Sequence, residues 1–135
     1  GGQIIIPFKL PLKIGWNYVY KKTLVNIGNF AASPVITIHA PCVNPKILNR
    51  TYGVFMQFIC NLELDDYLRI DVLEGTAVIH RTDGSEEDAL LVLTNNSEFF
   101  YLLTGDNEVV FLEESGFPPV NNHSYAEIEW SDTWL

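Results

Sequence analysis

The chain has 135 residues, of which 47% are hydrophobic, and a formal net charge of −9 at pH 7. This length and apolar content suit one folded domain with its own core and exclude a disordered chain. The acidic balance argues against nucleic acid, whose phosphates demand clustered Lys and Arg. No apolar run reaches the roughly 18 residues of a membrane span. We therefore expect neither nucleic acid nor a membrane as a partner.

The charges are divided unevenly along the chain. Residues 1–62 carry six basic side chains and no acid, whereas residues 63–135 carry all seventeen acids and only two basic side chains. On one reading, strands from the two halves interleave in a sandwich and the electric field averages out. On the other, a basic patch that includes Lys21 and Lys22 meets an acidic patch on a neighbouring subunit.

The first twenty residues differ from the rest of the chain. Pro7 and Pro11 lie close together among apolar residues, and two such prolines exclude a central strand. We predict that residues 1–20 form an arm or linker that arrives from a missing N-terminal domain. Residues 21–135 are then the folded domain.

Most of the remaining chain has the pattern of short strands. Apolar positions recur with period two, Val, Ile, Tyr, Phe and Thr are abundant, and Gly, Asn, Asp and Pro punctuate the segments. This pattern predicts an all-β, antiparallel sandwich or barrel. Candidate strands are Gln3–Ile6, Asn17–Tyr20, Thr23–Ile27, Val35–Ala40, Lys46–Asn49, Val54–Leu62, Tyr67–Leu73, Thr76–His80, Ala89–Leu93, Phe99–Leu102, Glu108–Leu112 and Tyr125–Trp130.

The stretch from Asn26 to Gly53 shows this punctuation most clearly. Gly28 and Asn29 tolerate the positive φ of a tight turn, and Pro34 suits the first position of a strand. In the strand that follows, alternate residues face one way and place Ile36 and Ile38 on one face, with His39 on the other.

Acidic clusters are the first candidates for a catalytic site. They are Asp65-Asp66, residues 83–88 (DGSEED) and Glu113-Glu114. Adjacent carboxylates on a strand point to opposite faces and do not form the pair that glycoside hydrolysis needs. The 83–88 segment lacks the spaced ligands of a calcium loop. We therefore interpret these clusters as solvated loop charge and expect no catalytic residue.

Metal, disulfide and cofactor sites are not indicated either. The three histidines lie far apart without a zinc-ligand spacing, and two cysteines are too few for a disulfide scaffold. No phosphate loop, nucleophile elbow or dinucleotide fingerprint is present. We expect two buried thiols, no metal and no cofactor.

Aromatic side chains offer the alternative of a sugar-binding platform. Trp130 alternates with Glu129 on a predicted strand and is expected to face the core. Trp16 and Trp134 lie near the arm and the C-terminus, where an exposed ring could stack on a glycan. We keep both as candidate glycan or partner contacts, together with Lys21 and Lys22.

The order of phrases over residues 23–135 resembles the C-terminal domain of the distal tail proteins of long-tailed bacteriophages, the siphovirus tail component. Each phrase alone is weak, but their succession is more specific. The phrases are T-L-V-N-I-G-N at residues 23–29, S-P-V-I-T-I at 33–38, N-P-K-I at 44–47, N-R-T-Y-G at 49–53, L-R-I-D at 68–71 followed by Gly75, L-L-T-G-D-N-E-V at 102–109 and I-E-W at 128–130.

This resemblance implies a galectin-like jelly-roll sandwich without catalysis. It implies a virion protein of the tail tip or baseplate that is assembled in the bacterial cytoplasm and joins the tail tube to the adsorption apparatus. Its partners would be the tube, hub and receptor-binding proteins. The full-length form would be a homo-hexameric ring built by an N-terminal domain absent here, so this chain alone would be monomeric. The alternative is a carbohydrate-binding module of the same fold that recognises host surface glycans.

Overall fold

A computed structural model describes residues 3–10, 12–14, 17–114, 116–117, 119 and 123–133, and the side chains of residues 20–114, 116–117, 119 and 123–131. In chain order the strands are β1 (Gln3–Leu10), β2 (Leu12–Ile14), β3 (Asn17–Val19), β4 (Lys21–Asn26), β5 (Val35–His39), β6 (Cys42–Val43), β7 (Lys46–Asn49), β8 (Val54–Gln57), β9 (Asn61–Leu62), β10 (Tyr67–Asp71), β11 (Thr76–His80), β12 (Glu86–Asp88), β13 (Gly105–Leu112) and β14 (Tyr125–Thr133).

Two antiparallel sheets form the body of the domain. The larger has six strands in the order β1-β14-β5-β10-β11-β12, and the smaller has four in the order β4-β13-β7-β8. The pairs β2-β3 and β6-β9 are short two-stranded additions. Within the described residues no helix is long and apolar enough to cross a membrane. The predicted all-β, galectin-like sandwich is confirmed.

The core lies between the inner faces of the two sheets. Ile36 and Ile38 of β5 are fully buried, as are Val109 and Phe111 of β13 in the opposite sheet. These side chains belong to one continuous apolar cluster. Trp130 of β14 also lies in it, only 5% exposed, as its alternation with Glu129 predicts. Period-two burial is therefore what holds the sheets face to face.

The two halves of the chain interleave within both sheets. In the small sheet β13, from the acidic half, lies between β4 and β7 of the acid-free half. In the large sheet β5, from the acid-free half, lies between β14 and β10. This strand order places the basic strands of the first half beside the acidic strands of the second half, as the first reading of the charge division expects.

The N-terminal segment adds an edge strand to the large sheet. β1 pairs antiparallel with β14 over its whole length, and Pro7 lies opposite Glu129. A proline without an N–H is tolerated there because one side of an edge strand has no ladder to complete. The division of the chain at residue 20 stays a prediction.

Two predicted strands are wrong, and a third, Val54–Leu62, is divided into β8 and β9. Ala89–Leu93 contains a 3-10 helix at Ala89–Val92, whose start is capped by the Asp88 carboxylate accepting from the Leu90 N–H. The periodicity of a short apolar run does not distinguish a helix from a strand. Here the Asp88 cap favours the helix. Phe99–Leu102 is extended but joins a ladder only through an isolated bridge between Leu102 and Ala32.

The acidic segment at residues 83–88, interpreted from the sequence as loop charge, is partly a strand. Glu86–Asp88 forms β12, which pairs with β11 at the edge of the large sheet. All three of its side chains are exposed. Charged residues on a short edge strand disfavour pairing with another chain, so an acidic strand suits this edge of the sheet.

Candidate interaction sites

Lys21 and Lys22 lie on β4, at the edge of the small sheet. Both are exposed, whereas Leu24 and Asn26 further along the strand are buried. The lysines share a shallow groove with Asp106 and Glu108 of the neighbouring β13. Acids of the same sheet therefore lie beside the predicted basic contact, and lysines on an edge strand also discourage unwanted strand pairing.

The other two predicted contacts, Trp16 and Trp134, lie outside the described residues. Their role as glycan or partner contacts stays a prediction. Trp130 is a core residue and is not available for such a contact.

A row of four rings crosses the outer face of the large sheet. The strand register aligns Tyr125 of β14, His39 of β5, Tyr67 of β10 and His80 of β11. The His39 and Tyr125 rings stack with centroids 4.2 Å apart, and Tyr67 stacks on His80 at 4.5 Å. His39 and Tyr67 are 6.0 Å apart and tilted by 33°. We call these four residues the aromatic row.

Carboxylates hold the two histidines of the aromatic row. His39 Nε2 lies 2.7 Å from Glu127 Oε1, and His80 Nδ1 lies 3.4 Å from Glu86 Oε1. Because the rings stack on one another, much of their face area is covered by neighbouring rings. A sugar platform needs a free ring face, so the row suits a protein surface better than a glycan.

The outer face around the aromatic row is strongly acidic. Arg69 is the only Lys or Arg among the described residues of β5, β10, β11, β12 and β14, and it contacts Asp71 at 3.6 Å. On the edge strand β1, Lys9 lies opposite Glu127. The acids on this face are Asp71, Glu86, Asp88, Glu127 and Glu129. A partner that docks here would have to present basic side chains.

Arg81 is the centre of a polar cluster at the end of β11. Its Nη1 lies 2.8 Å from Asp66 Oδ2 and donates to the Asn61 carbonyl, also at 2.8 Å, and its Nε donates to Glu87. Asp66 is only 4% exposed and accepts further hydrogen bonds from the backbone N–H groups of Glu63 and Thr82. We call Arg81, Asp66 and Glu87 the Arg81 cluster.

The interpretation of Asp66 as solvated charge is wrong. Burial acts to raise the pKa of Asp66, but the hydrogen bond from Arg81 and the backbone N–H donors outweigh it and hold that pKa below its usual range. Hydrogen bonds to Glu87 and Asp66 likewise raise the pKa of the Arg81 guanidinium. Arg81 is fifteen residues away from Asp66 in sequence, so only the fold reveals the pair.

Three buried asparagines form a second polar cluster, at the end of the small sheet. Asn26 donates to the carbonyls of Phe30 and Leu102, at 2.8 and 2.9 Å. Asn107 Nδ2 donates to the carbonyls of Leu103 and Gly105, and Asn49 Nδ2 lies 3.1 Å from Asn107 Oδ1. We call Asn26, Asn49 and Asn107 the asparagine cluster.

The asparagine cluster explains why the predicted strand Phe99–Leu102 is not one. Asn49 Nδ2 lies 3.4 Å from the Tyr101 carbonyl, and Asn26 bonds to the Leu102 carbonyl. Side-chain amides thus bond to carbonyls of this segment, and the Leu102 carbonyl also accepts from the Ala32 N–H at 2.8 Å. The signal in the sequence was three asparagines on strands at positions where apolar residues are expected.

The two cysteines are free thiols. Cys42 is buried as predicted, and burial raises its pKa, but Cys60 is only partly buried. Burial, the larger influence, also raises the pKa of Cys60, to about 11. Neither thiol is activated as a nucleophile. Among the described residues, no three His, Cys, Asp or Glu side chains are grouped so as to hold a metal ion.

The sequence interpretation placed His39 on the less buried face of its strand but treated the histidines as isolated. In the fold, His39 and His80 share one row because β5, β10 and β11 are neighbours. Strand order across a sheet cannot be read from local patterns, which is why the row was missed. The usable signal was an aromatic or histidine residue at an outward position of each strand.

The family of the chain follows from comparison with known proteins. A family model described as "Siphovirus-type tail component, C-terminal domain" matches residues 27–134. Comparison with curated proteins and with solved structures gave no match. The matched range begins directly after β4 and runs through β14, so it includes most strands of both sheets. The chain therefore belongs to the siphovirus-type tail component family and carries its C-terminal domain.

Proposed function

We propose that this domain is a non-catalytic interaction module of a bacteriophage or prophage tail tip that links the tail tube to the adsorption apparatus. The match of residues 27–134 to the C-terminal domain of a tail component carries the proposal. A linking role needs a rigid body with surfaces for more than one partner. The sandwich has a continuous core and two separate outer faces, which suits that role.

The polar groups of the domain support a structural rather than a catalytic role. The histidines of the aromatic row are engaged by Glu127 and Glu86, and the buried carboxylate of Asp66 is paired with Arg81. A general acid or base needs a proton-transfer group placed where a substrate can reach it. These groups are committed to holding strands and loops together instead.

The partners that we propose are other tail proteins: the tube, the hub and the receptor-binding protein. The full-length protein would form a homo-hexameric ring through an N-terminal domain. The acidic outer face around the aromatic row would dock a basic surface of a neighbour, since charge complementarity favours that choice. Glycan binding has less support, because the rings of the row largely cover one another.

Mass spectrometry of purified phage particles tests this proposal. The protein that contains this chain should be present in particles banded by density and absent from particles that lack tails. A phage whose gene for this protein is deleted should make filled heads but no complete tails. Normal infectious particles without the protein would contradict the proposal.

A further inference from the structure

A pocket of about 210 Å³ opens beside the asparagine cluster, at the end of the small sheet. Asn49 is fully buried, whereas Tyr52 and Tyr101 are 43% and 50% exposed, so the lining passes from a buried floor to an aromatic rim. The described residues that line it are Asn49, Tyr52, Val54, Glu98, Phe99, Phe100, Tyr101 and Leu103.

The orientation of the Asn49 amide is set by its neighbours. Asn107 Nδ2 faces carbonyl oxygens only, which fixes Asn107 Oδ1 toward the Leu103 N–H and toward Asn49. Asn49 must then turn its Nδ2 to Asn107 Oδ1 and to the Tyr101 carbonyl. A flipped amide would place oxygen against oxygen at both positions.

One acceptor is left over by this arrangement. Asn49 Oδ1 is buried and has no hydrogen-bond donor among the described residues. Leaving such a group unpaired costs about 1–3 kcal/mol. Glu98, the one charged residue among the described lining residues, is also an acceptor, and none of these residues is a Lys, Arg or His. The pocket lining therefore favours a ligand that has several hydrogen-bond donors and a positive charge.

We propose that this pocket binds the guanidinium group of an arginine side chain on a neighbouring tail protein. A guanidinium has five N–H donors and no acceptor, so it can donate to the exposed Glu98 carboxylate. It can donate to the buried Asn49 amide oxygen as well once the side chains that cover this oxygen move apart. Its flat, slender shape suits a buried floor, and its faces stack on rings such as Tyr52 and Tyr101. The net charge of −9 of the chain also attracts a basic partner.

The inference rests on the proposed function only in naming a tail protein as the source of the arginine. A titration of the isotopically labelled chain with N-acetyl-arginine amide tests the pocket itself, by NMR of backbone and side-chain amides. We expect saturable shifts at Asn49, Tyr52, Glu98 and Tyr101, with a dissociation constant of about 1–10 mM that rises with salt. N-acetyl-citrulline amide has nearly the same shape without the charge and should bind at least about five-fold more weakly.

Two variants assign the binding to the pocket. Glu98→Gln removes an exposed charge of the lining and should weaken arginine binding about three- to five-fold, without changing amide signals elsewhere. Glu74→Gln, an exposed acid on a distant turn, is the matched control and should leave binding unchanged.

Several results would overturn the inference. They are equal binding of the citrulline and arginine probes, shifts confined to the acidic face of the large sheet, and no saturable shift at the pocket residues. A monosaccharide such as N-acetylglucosamine that shifts these residues in place of the arginine probe would assign the pocket to a glycan instead. None of these results affects the presence of the protein in virions, so failure of the pocket and failure of the tail role are distinguishable.

Discussion

The Arg81 cluster and the asparagine cluster are both polar groups in the body of the sandwich, but they are completed to different degrees. In the Arg81 cluster each buried donor meets an acceptor: Asp66 accepts from Arg81 and from two backbone N–H groups. In the asparagine cluster Asn49 Oδ1 has no donor among the described residues. Both clusters tie loops to strands, but only the second has hydrogen-bonding capacity to spare, beside a pocket.

This difference distinguishes polar groups that hold the fold together from polar groups that can bind a partner. A polar cluster whose members satisfy one another's hydrogen bonds needs no partner and can be a purely structural feature. A cluster that has a buried acceptor without a hydrogen-bond donor, beside a pocket, is a candidate binding site.

The largest loss of stability should follow removal of Asn107. Asn107→Ala would leave buried carbonyls and the Leu103 N–H without partners, and we expect the free energy of unfolding to fall by about 4 kcal/mol. Urea denaturation followed by tryptophan fluorescence measures it. Asn95→Ala, in an exposed turn, is the control and should change stability by less than about 0.5 kcal/mol. Equal effects of the two substitutions would show that the asparagine cluster does not hold the 98–104 segment.

Removal of Arg81 should have the next largest effect. Arg81→Met keeps much of the side-chain volume but leaves Asp66 buried and without its counter-ion, so we expect a loss of about 3 kcal/mol. Arg69→Met is the matched control, because the Arg69–Asp71 pair is 3.6 Å long with the arginine half exposed. That surface pair should be worth less than about 1 kcal/mol. A smaller loss for Arg81 than for Arg69 would contradict the account.

The stability of the Arg81 cluster should also depend on pH. The folded-state pKa of Asp66 lies below its ordinary value, so its contribution is present in full above about pH 4 and is lost as pH falls through the folded pKa. Asp66→Asn should therefore be less stable than the wild type at pH 7, by a margin that shrinks at pH 2.5. Denaturant unfolding at both pH values measures the margin. A margin that is the same at both pH values would mean that the Asp66 charge is not what stabilises the fold.

The aromatic row is a third region, and its four side chains are partly buried. Tyr67→Leu removes the ring that stacks on His80 and packs beside His39, and we expect a loss of about 1–2 kcal/mol. Tyr67→Phe keeps the ring and should cost less than about 0.5 kcal/mol. Thermal unfolding compares them. If Tyr67→Leu also left binding of a basic tail protein unchanged, the row would be a structural feature only.

The smallest effect on stability is expected at the edge of the small sheet. Lys21→Glu/Lys22→Glu changes two exposed side chains and should leave folding nearly unchanged, apart from mild repulsion by Asp106 and Glu108. If these lysines meet an acidic neighbour, assembly of the full-length protein should weaken, more at low salt than at high salt. Analytical ultracentrifugation at two ionic strengths measures it. Equal assembly would assign the charge division to the interleaved strands alone.

The fold was predictable from the sequence because its core obeys period two. Ile36 and Ile38 are buried on the predicted face, and Trp130 faces inward as its parity requires. The wrong strand predictions fall where side chains bond to the backbone. The Asp88 side chain caps a 3-10 helix in a predicted strand, and asparagine side chains hold the 98–104 segment.

The sites were less predictable than the fold. Asp66 looked like loop charge because its partner Arg81 is distant in sequence. The aromatic row depends on the order of strands in the large sheet, and the pocket depends on which amide atom of Asn49 is left over. Local sequence patterns contain neither the strand order nor the direction of an amide.

Immunogold electron microscopy of intact phage, with an antibody raised against this chain, shows whether the protein lies at the tail tip. We predict label at the distal end of the tail, where the tube meets the adsorption apparatus, and none on the head or along the tube. A tail-tip role would be contradicted by label along the tube or on the head. It would also be contradicted by the absence of label on particles in which mass spectrometry detects the protein.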